Sequence, residues 1–293
     1  METMKKTMTG ALALLLLLSG CTKQTGDSLP DEMHFVPERA GVTRVTDAGF
    51  EIGDAVGVYV TRYDGQQRQP LQLGGNYASN VAVTYDGHNW SCQPKVFWED
   101  GQFDVYAYYP RTSVTSVDEY PFSVALDQRV AASGTQKSAW EQSDFLWACN
   151  VGVTRSASVP LVFSHKMSRV DIRLVKGDGY EGDIPSDATV YVHNTVTDAL
   201  VDLSTGDVLK APRGTAHTVT ALRRGTGFYS VLLVPQMLTN RVPLFEVVCG
   251  DVSYLLESKF QFKSGVCHTV NITLSDNPER VRIDIGGEIV GWD

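Results

Sequence analysis

Apolar residues recur at every second position along most of this chain, and that period constrains the fold more than any other feature of the sequence. In AVGVYV the side chains of Val56, Val58 and Val60 share a face. In FDVYAYYP those of Phe103, Val105, Ala107 and Tyr109 do so, before Pro110 ends the run. Val170, Ile172 and Leu174 alternate with Arg169, Asp171 and Arg173, the apolar set to a core and the charged set to water. The pattern returns at Val190 and Val192, at Val231 and Leu233, at Val270, Ile272 and Leu274, and at Val281, Ile283 and Ile285. Side chains of an extended strand point alternately to its two faces, so a period of two predicts half-buried strands. Turn clusters such as YDGQQ, TYDGHN, KGDGYEGD and LSTGD separate the runs. Beyond the N-terminal segment only SAWEQSDFLWA offers a helical turn. The expected fold is all-β, with short antiparallel strands packed as sandwiches.

The N-terminal segment obeys a different rule. Lys5 and Lys6 precede an unbroken apolar run from Ala11 to Leu18, and Ser19, Gly20 and Cys21 follow it. The run holds eight residues, whereas a membrane-spanning helix needs about 20. A cationic start, a short apolar stretch and small residues at its end describe a secretory signal. Leu18-Ser19-Gly20-Cys21 resembles the lipobox of bacterial lipoproteins, in which cleavage leaves the cysteine as the acylated N-terminus. The expectation is a signal peptide over residues 1–20, lipid on Cys21 and a polar tether over residues 21–32. Several acyl chains on Cys21 then give stable attachment to the outer membrane.

At 293 residues the chain has room for two domains of ordinary size. The polar stretch CNVGVTRSASVP at 149–160 separates an aromatic-rich half from an aliphatic one. It sets the expected division into sandwiches over 33–155 and 156–293. Hydrophobic residues make up 43% of the chain and charged residues 20%, a composition that excludes disorder. There are 25 basic and 34 acidic side chains; without Lys5, Lys6 and Glu2, 23 and 33 remain, a net charge of −10. Such a surface, with no basic stripe, repels phosphate backbones and argues against nucleic acid as a partner. Besides Cys21 the cysteines are Cys92, Cys149, Cys249 and Cys267, an even number that permits disulfides in an exported chain. Cys249 and Cys267 either bridge neighbouring strands or stay as buried thiols.

Motifs that carry chemistry are few. GDGYEG at 177–182 matches G-x-G-x-x-G behind a strand, but Pro185 and its neighbours supply no helix to meet a pyrophosphate, so it reads as a turn. Asp178, Glu181 and Asp183 lack the spacing of a calcium loop. The six histidines form no i, i+4 pair and no H-E-x-x-H, and Cys267 and His268 point to opposite faces of a strand. No G-x-S-x-G occurs. A glycosidase would need two carboxylates facing across a cleft about 5–10 Å wide, which spacing alone does not single out. The expectation is therefore no catalytic set, no metal site, no cofactor and no enzyme. Trp90, Trp98, Tyr106, Tyr108 and Tyr109 either stack on sugars or fill cores and cross-strand pairs.

Several segments follow in a telling order: FEIGDAVGVYV at 50–60, VFWEDGQFDVYAYYP at 96–110, DFLWA at 144–148, LVFSHKMSRVDIRL at 161–174, LLVPQ at 232–236 and FKSGVCHTVNITLS at 262–275. With the lipobox they resemble the fimbrillin-like proteins of Bacteroidetes, including the Mfa-type subunits of type V pili. The resemblance implies two transthyretin-like β-sandwich domains, export as a lipoprotein, and a place in or on a fimbrium at the cell surface, where it serves adhesion. It also implies that an arginine-specific protease trims the N-terminal strand and that a neighbouring subunit's strand replaces it. EMHFVP, with Met33, Phe35 and Pro37 on one face, then reads as the removable strand, against the alternative of a permanent edge strand. Arg39 in VPERAG and Arg44 in GVTRVTD are the candidate cleavage points, Arg44 preferred because it lies nearer the next strand. The paired glycines Gly286-Gly287 weaken the last strand as a donor, which favours a tip or accessory role if that strand stays in place. A second reading is a permanently anchored lipoprotein that binds glycans through an exposed aromatic platform.

Overall fold

The computed structural model describes residues 31–39 and 49–292; the signal segment, Cys21, most of the tether and Arg44 lie outside them. In chain order the first half forms β1 (Phe35–Arg39), β2 (Ala55–Asp64), β3 (Gln67–Arg68), β4 (Ala78–Tyr85), β5 (Trp90–Gln93), β6 (Phe103–Tyr109), β7 (Tyr120–Ser123), helix α1 (Ala139–Gln142), β8 (Leu146–Val153) and β9 (Val159–His165). The second half forms β10 (Ser168–Lys176), β11 (Thr189–Val196), β12 (Asp198–Asp202), β13 (Asp207–Lys210), β14 (Ala216–Thr220), β15 (Leu222–Gly225), β16 (Phe228–Leu233), β17 (Gln236–Cys249), β18 (Val252–Phe262), β19 (Val266–Leu274) and β20 (Arg282–Val290). The described residues are all-β apart from α1 and one short 3-10 turn. Among the described residues no helix is long and apolar enough to cross a membrane. The single turn of α1 is capped by Ser138, whose hydroxyl accepts from the Glu141 amide while Glu141 reaches back to the Ser138 amide.

The first sheet runs β1-β9-β8-β6-β2-β4-β5, with β3 paired to β2. Val56, Val58 and Val60 of β2 and Phe103, Val105, Ala107 and Tyr109 of β6 face one core, as their alternation predicts. The opposite face of β6 is buried as well, because Asp104, Tyr106 and Tyr108 turn into a second layer. Gly57 sits where Tyr108 crosses β2, and a β-carbon there would run into the Tyr108 ring. β9 extends this sheet to His165, beyond the expected division at 155/156. The polar stretch at 149–160 is the end of β8, the loop after it and the start of β9, bridged by the Asn150 side-chain amide donating to the Pro160 carbonyl at 3.1 Å.

The second half packs a five-stranded sheet, β15-β16-β10-β19-β20, against a four-stranded one, β14-β11-β17-β18. Val170, Ile172, Val190, Val192, Val270 and Ile272 meet between them as the sequence pattern requires. Two pairings depart from an antiparallel plan: β1 with β9 and β10 with β19 are parallel. Parallel neighbours need long crossovers, and in both pairs most of a sheet intervenes in sequence.

A third cluster joins the halves. Tyr59, Tyr106 and Tyr108 from the outer face of the first sheet meet Leu232 and Cys267 from the second half. Between them lies a small sheet, β13-β12-β7, in which β7 of the first half pairs antiparallel with β12 of the second. Gln128, 1% exposed, donates through its amide to the Leu232 carbonyl at 2.7 Å and accepts the Leu232 amide at 2.9 Å. Both polar ends of that buried side chain are thus satisfied, which is what makes its burial tolerable.

Candidate functional site

The N-terminal described segment, residues 31–39, occupies two edges of the first sandwich in succession. The Met33 amide donates to the Val96 carbonyl at 2.8 Å and the Trp98 amide to the Asp31 carbonyl at 2.6 Å, so this stretch pairs antiparallel with residues 96–98. At His34 the chain crosses: its carbonyl accepts the Val159 amide at 2.7 Å. From there β1 runs parallel to β9 in the register Phe35↔Val159, Pro37↔Leu161 and Arg39↔Phe163. β1 is the terminal strand of its sheet, bonded on one side alone. Pro37, which lacks an amide donor, is tolerated there because an edge strand leaves half its groups unpaired.

The segment carries a large part of the core with it. Met33 is 0% exposed, Phe35 3%, and Pro37 is buried, all three on one face. Met33 and Phe35 belong to the cluster that holds Val159, Leu161 and Phe163 of β9 together with Val96 and Trp98 of the opposite edge. Full burial of a Met or Phe side chain is worth roughly 1.5–3 kcal/mol. Ion pairs flank the start: Lys95 Nζ lies 2.7 Å from Glu32 and Arg155 Nη1 3.0 Å from Asp31. Both pairs are solvent-exposed and contribute little.

Arg39 ends β1 in a different setting. Its guanidinium lies over the Phe50 ring at 5.3 Å, and its Nε is buried without a hydrogen-bond partner among the described residues. It lines a cleft of about 420 Å³ with Glu51, Asp54, Tyr109, Trp140 and Trp292. Tyr109 donates its hydroxyl to Asp54 Oδ1 at 3.0 Å. Burial, and then the Asp54 charge, push the Tyr109 phenol well above its ordinary range, while the Arg39 charge opposes them. Lys137 Nζ serves three carboxylates at once, 2.6 Å from Glu51, 3.1 Å from Asp54 and 3.7 Å from Glu141.

The remaining residues singled out by the sequence fall elsewhere. Trp98, Tyr106, Tyr108 and Tyr109 are buried, and Trp90 packs against Phe50 and Tyr85 at centroid distances of 4.9 and 5.0 Å. GDGYEG forms the turn after β10, with Gly179 and Gly182 at φ of +77° and +75°. Among the described residues no group of His, Cys, Asp and Glu side chains is placed to hold a metal ion. Cys92, Cys149, Cys249 and Cys267 are free thiols. Cys249 lies on β17 and Cys267 on β19, in different sheets, so they are not the neighbouring pair that a bridge would need. Burial pushes the Cys92 and Cys149 thiols up to about 11 and the Cys267 thiol up to about 12, which keeps them protonated and unreactive. The double pairing of residues 31–39 is invisible to local sequence; the one readable signal is the alternation of Met33, Phe35 and Pro37.

An all-β protein of stacked sheets, with its N-terminal strand seated at an edge over the core, defines the class. Within that class the chain belongs to the fimbrillin-like family, whose model matches residues 43–292. Fim1C of Bacteroides uniformis, described as a candidate fimbrium subunit, is 25% identical over 98% of this chain and 95% of its own. Among solved structures, a candidate cell adhesion protein from Bacteroides ovatus superposes with a TM-score of 0.67 at 19% identity, covering 91% of this chain and 99% of that one. The tip fimbrial protein Mfa3 of Porphyromonas gingivalis, truncated at its C-terminus, gives 0.51 at 8% identity over 83% and 95%. At such identities the two structures speak to the fold alone.

Proposed function

We propose that the chain is a structural or accessory subunit of a fimbrium, exported as a lipoprotein through Cys21, held at the outer membrane, and joined to its neighbours by strand exchange at the position of β1. The observation that carries this reading is the edge placement of β1 and the residues leading into it, which nonetheless bury Met33, Phe35 and Pro37. A sandwich that loses such a strand exposes a row of backbone donors and acceptors on β9 above an apolar groove. An incoming strand satisfies the ladder while its alternate side chains refill the pockets. Head-to-tail contacts of this kind do not close, so they build filaments.

Arg39 is a poor protease site in the folded chain: its backbone pairs with Phe163 and its side chain is held over Phe50. Cleavage after Arg44 is the reading this favours, and it would detach the lipid and β1 together. We further read the chain as two sandwich units whose division falls at 166–167, between β9 and β10. The anchored glycan-binder has less support, since four of its five platform aromatics are buried and Trp90 is packed. The test treats the folded full chain, and its Arg39→Ala and Arg44→Ala variants, with an arginine-specific protease and follows filament incorporation. The expected result is a mature subunit beginning at Val45 in the parent and in Arg39→Ala, with Arg44→Ala uncut and outside filaments. Filaments built of subunits that still begin at Cys21 would overturn the proposal.

A further inference from the structure

The geometry points to a specific requirement on the strand that takes the place of β1: apolar side chains at three alternate positions and a cation at the next. The chain's own C-terminal strand lacks this pattern, so the donor is a strand of a different subunit rather than a second copy of this one. The inference rests on the strand-exchange reading above.

Met33, Phe35 and Pro37 fill the core, and Arg39 is the next residue on that face. Its surroundings favour a cation. One flank is the Phe50 ring, whose face attracts positive charge. The cleft it lines holds Glu51, Asp54 and Glu141, three carboxylates that share the single ammonium of Lys137. Of the other cationic groups of the cleft, Arg129 pairs with Asp127 at 2.8 Å, and Arg224 lies over the Trp140 ring at 4.2 Å. Asp144 is bonded to His165 at 2.8 Å. Carboxylates of the cleft (Glu51, Asp54, Glu141 and Asp144) therefore outnumber the cations left to it where β1 ends, and an acidic residue there would face like charge across the cleft.

Val281, Ile283 and Ile285 offer the three apolar positions, but the next alternate residue is Gly287 in one direction and Glu279 in the other. That strand is also committed, bonded along β19 and followed by the buried Trp292. The full pattern occurs in β2 as Val56, Val58, Val60 and Arg62, from β6 as Val105, Ala107, Tyr109 and Arg111, from β8 as Cys149, Val151, Val153 and Arg155, and in β10 as Val170, Ile172, Leu174 and Lys176. All four strands are paired on two sides and cannot leave.

The experiment nicks the folded full chain after Arg44 with an arginine-specific protease, so that β1 is held by non-covalent contacts alone. Fluorescein-labelled peptides of residues 31–39 are then exchanged in and followed by anisotropy: the native sequence, Arg39→Met, Arg39→Glu and Phe35→Asp, beside a peptide of residues 279–290. The native peptide is expected to bind, Arg39→Glu and the C-terminal peptide at least about tenfold more weakly, and Arg39→Met in between. If Arg39→Glu matches the native peptide while Phe35→Asp fails to bind, the cation requirement is wrong and strand exchange stands. Native-like binding by the C-terminal peptide would remove the argument for a different donor. A chain that resists nicking at Arg44, or nicked protein that never takes up the native peptide, overturns strand exchange and this inference together.

Discussion

His165 and Trp292 stack nearly face to face, their ring centroids 3.9 Å apart and their planes 19° from parallel. His165 is the last residue of β9, the strand on which β1 rests, and Trp292 follows β20. Asp144 fixes the imidazole from behind at 2.8 Å. The C-terminal end of the described chain is therefore fastened to the end of the strand along which β1 lies.

Trp292→Ala removes a side chain that is 4% exposed and leaves a hole at the junction of the halves. The expected loss is about 3 kcal/mol, the low end for a large buried aromatic. A urea titration should show a lower midpoint at unchanged slope. A shift below about 0.5 kcal/mol would mean that the ring is a surface contact.

Asp104 is fully buried and accepts from Tyr63 at 3.0 Å, Arg68 Nε at 2.6 Å and the Gly152 amide at 2.8 Å. Asp104→Leu strands those donors and should cost about 3 kcal/mol. Arg68 is half exposed but Asp104 is not, so Arg68→Met leaves a buried carboxylate without its cation and should cost more, about 4 kcal/mol. Thermal unfolding of both variants beside the parent checks the order; equal losses would contradict it.

His268 is buried and its Nε2 accepts the Lys263 amide at 3.2 Å, so the folded chain holds the ring unprotonated. Burial depresses its pKa below the ordinary 6.5, Glu288 opposes that and Lys263 adds to it. Below that ordinary value the unfolded chain binds a proton that the folded chain refuses. Stability is thus fully present above the unfolded value and declines as pH falls through it, toward the depressed folded value. Denaturant midpoints between pH 7 and 5 should fall for the parent, and less steeply for His268→Gln. An identical slope in the variant would assign the pH dependence to other groups.

Alternation makes β10, β11 and β19 readable, because each buries one face more deeply than the other. It locates β6 but misses its second buried face, since Tyr106 and Tyr108 are covered by a layer that comes from distant sequence. The pairing of β1 with β9, of β7 with β12, and the Gln128 clamp on Leu232 join residues up to 124 positions apart, and no local pattern encodes them. At the C-terminus the expected inward set is only partly realised. Val281 and Ile283 pack on the core, whereas Ile285 is 46% exposed, because β20 lies at the sheet edge and Gly286-Gly287 fall where its register with β19 shifts. Of the candidate site, the apolar face of Met33, Phe35 and Pro37 is legible; the charged cleft at Arg39 is assembled by folding and is not.

The small sheet of β7, β12 and β13 also has a mechanical meaning. Its strands come from both halves and lie side by side between the two larger cores. A joint made of a flexible peptide would let the halves swing like beads on a string. Here any bending must shear several hydrogen bonds at once and drag Tyr59, Tyr108 and Leu232 past one another. Strain applied to one half is thus carried into the other by backbone hydrogen bonds and packed rings together, not by a single connecting peptide.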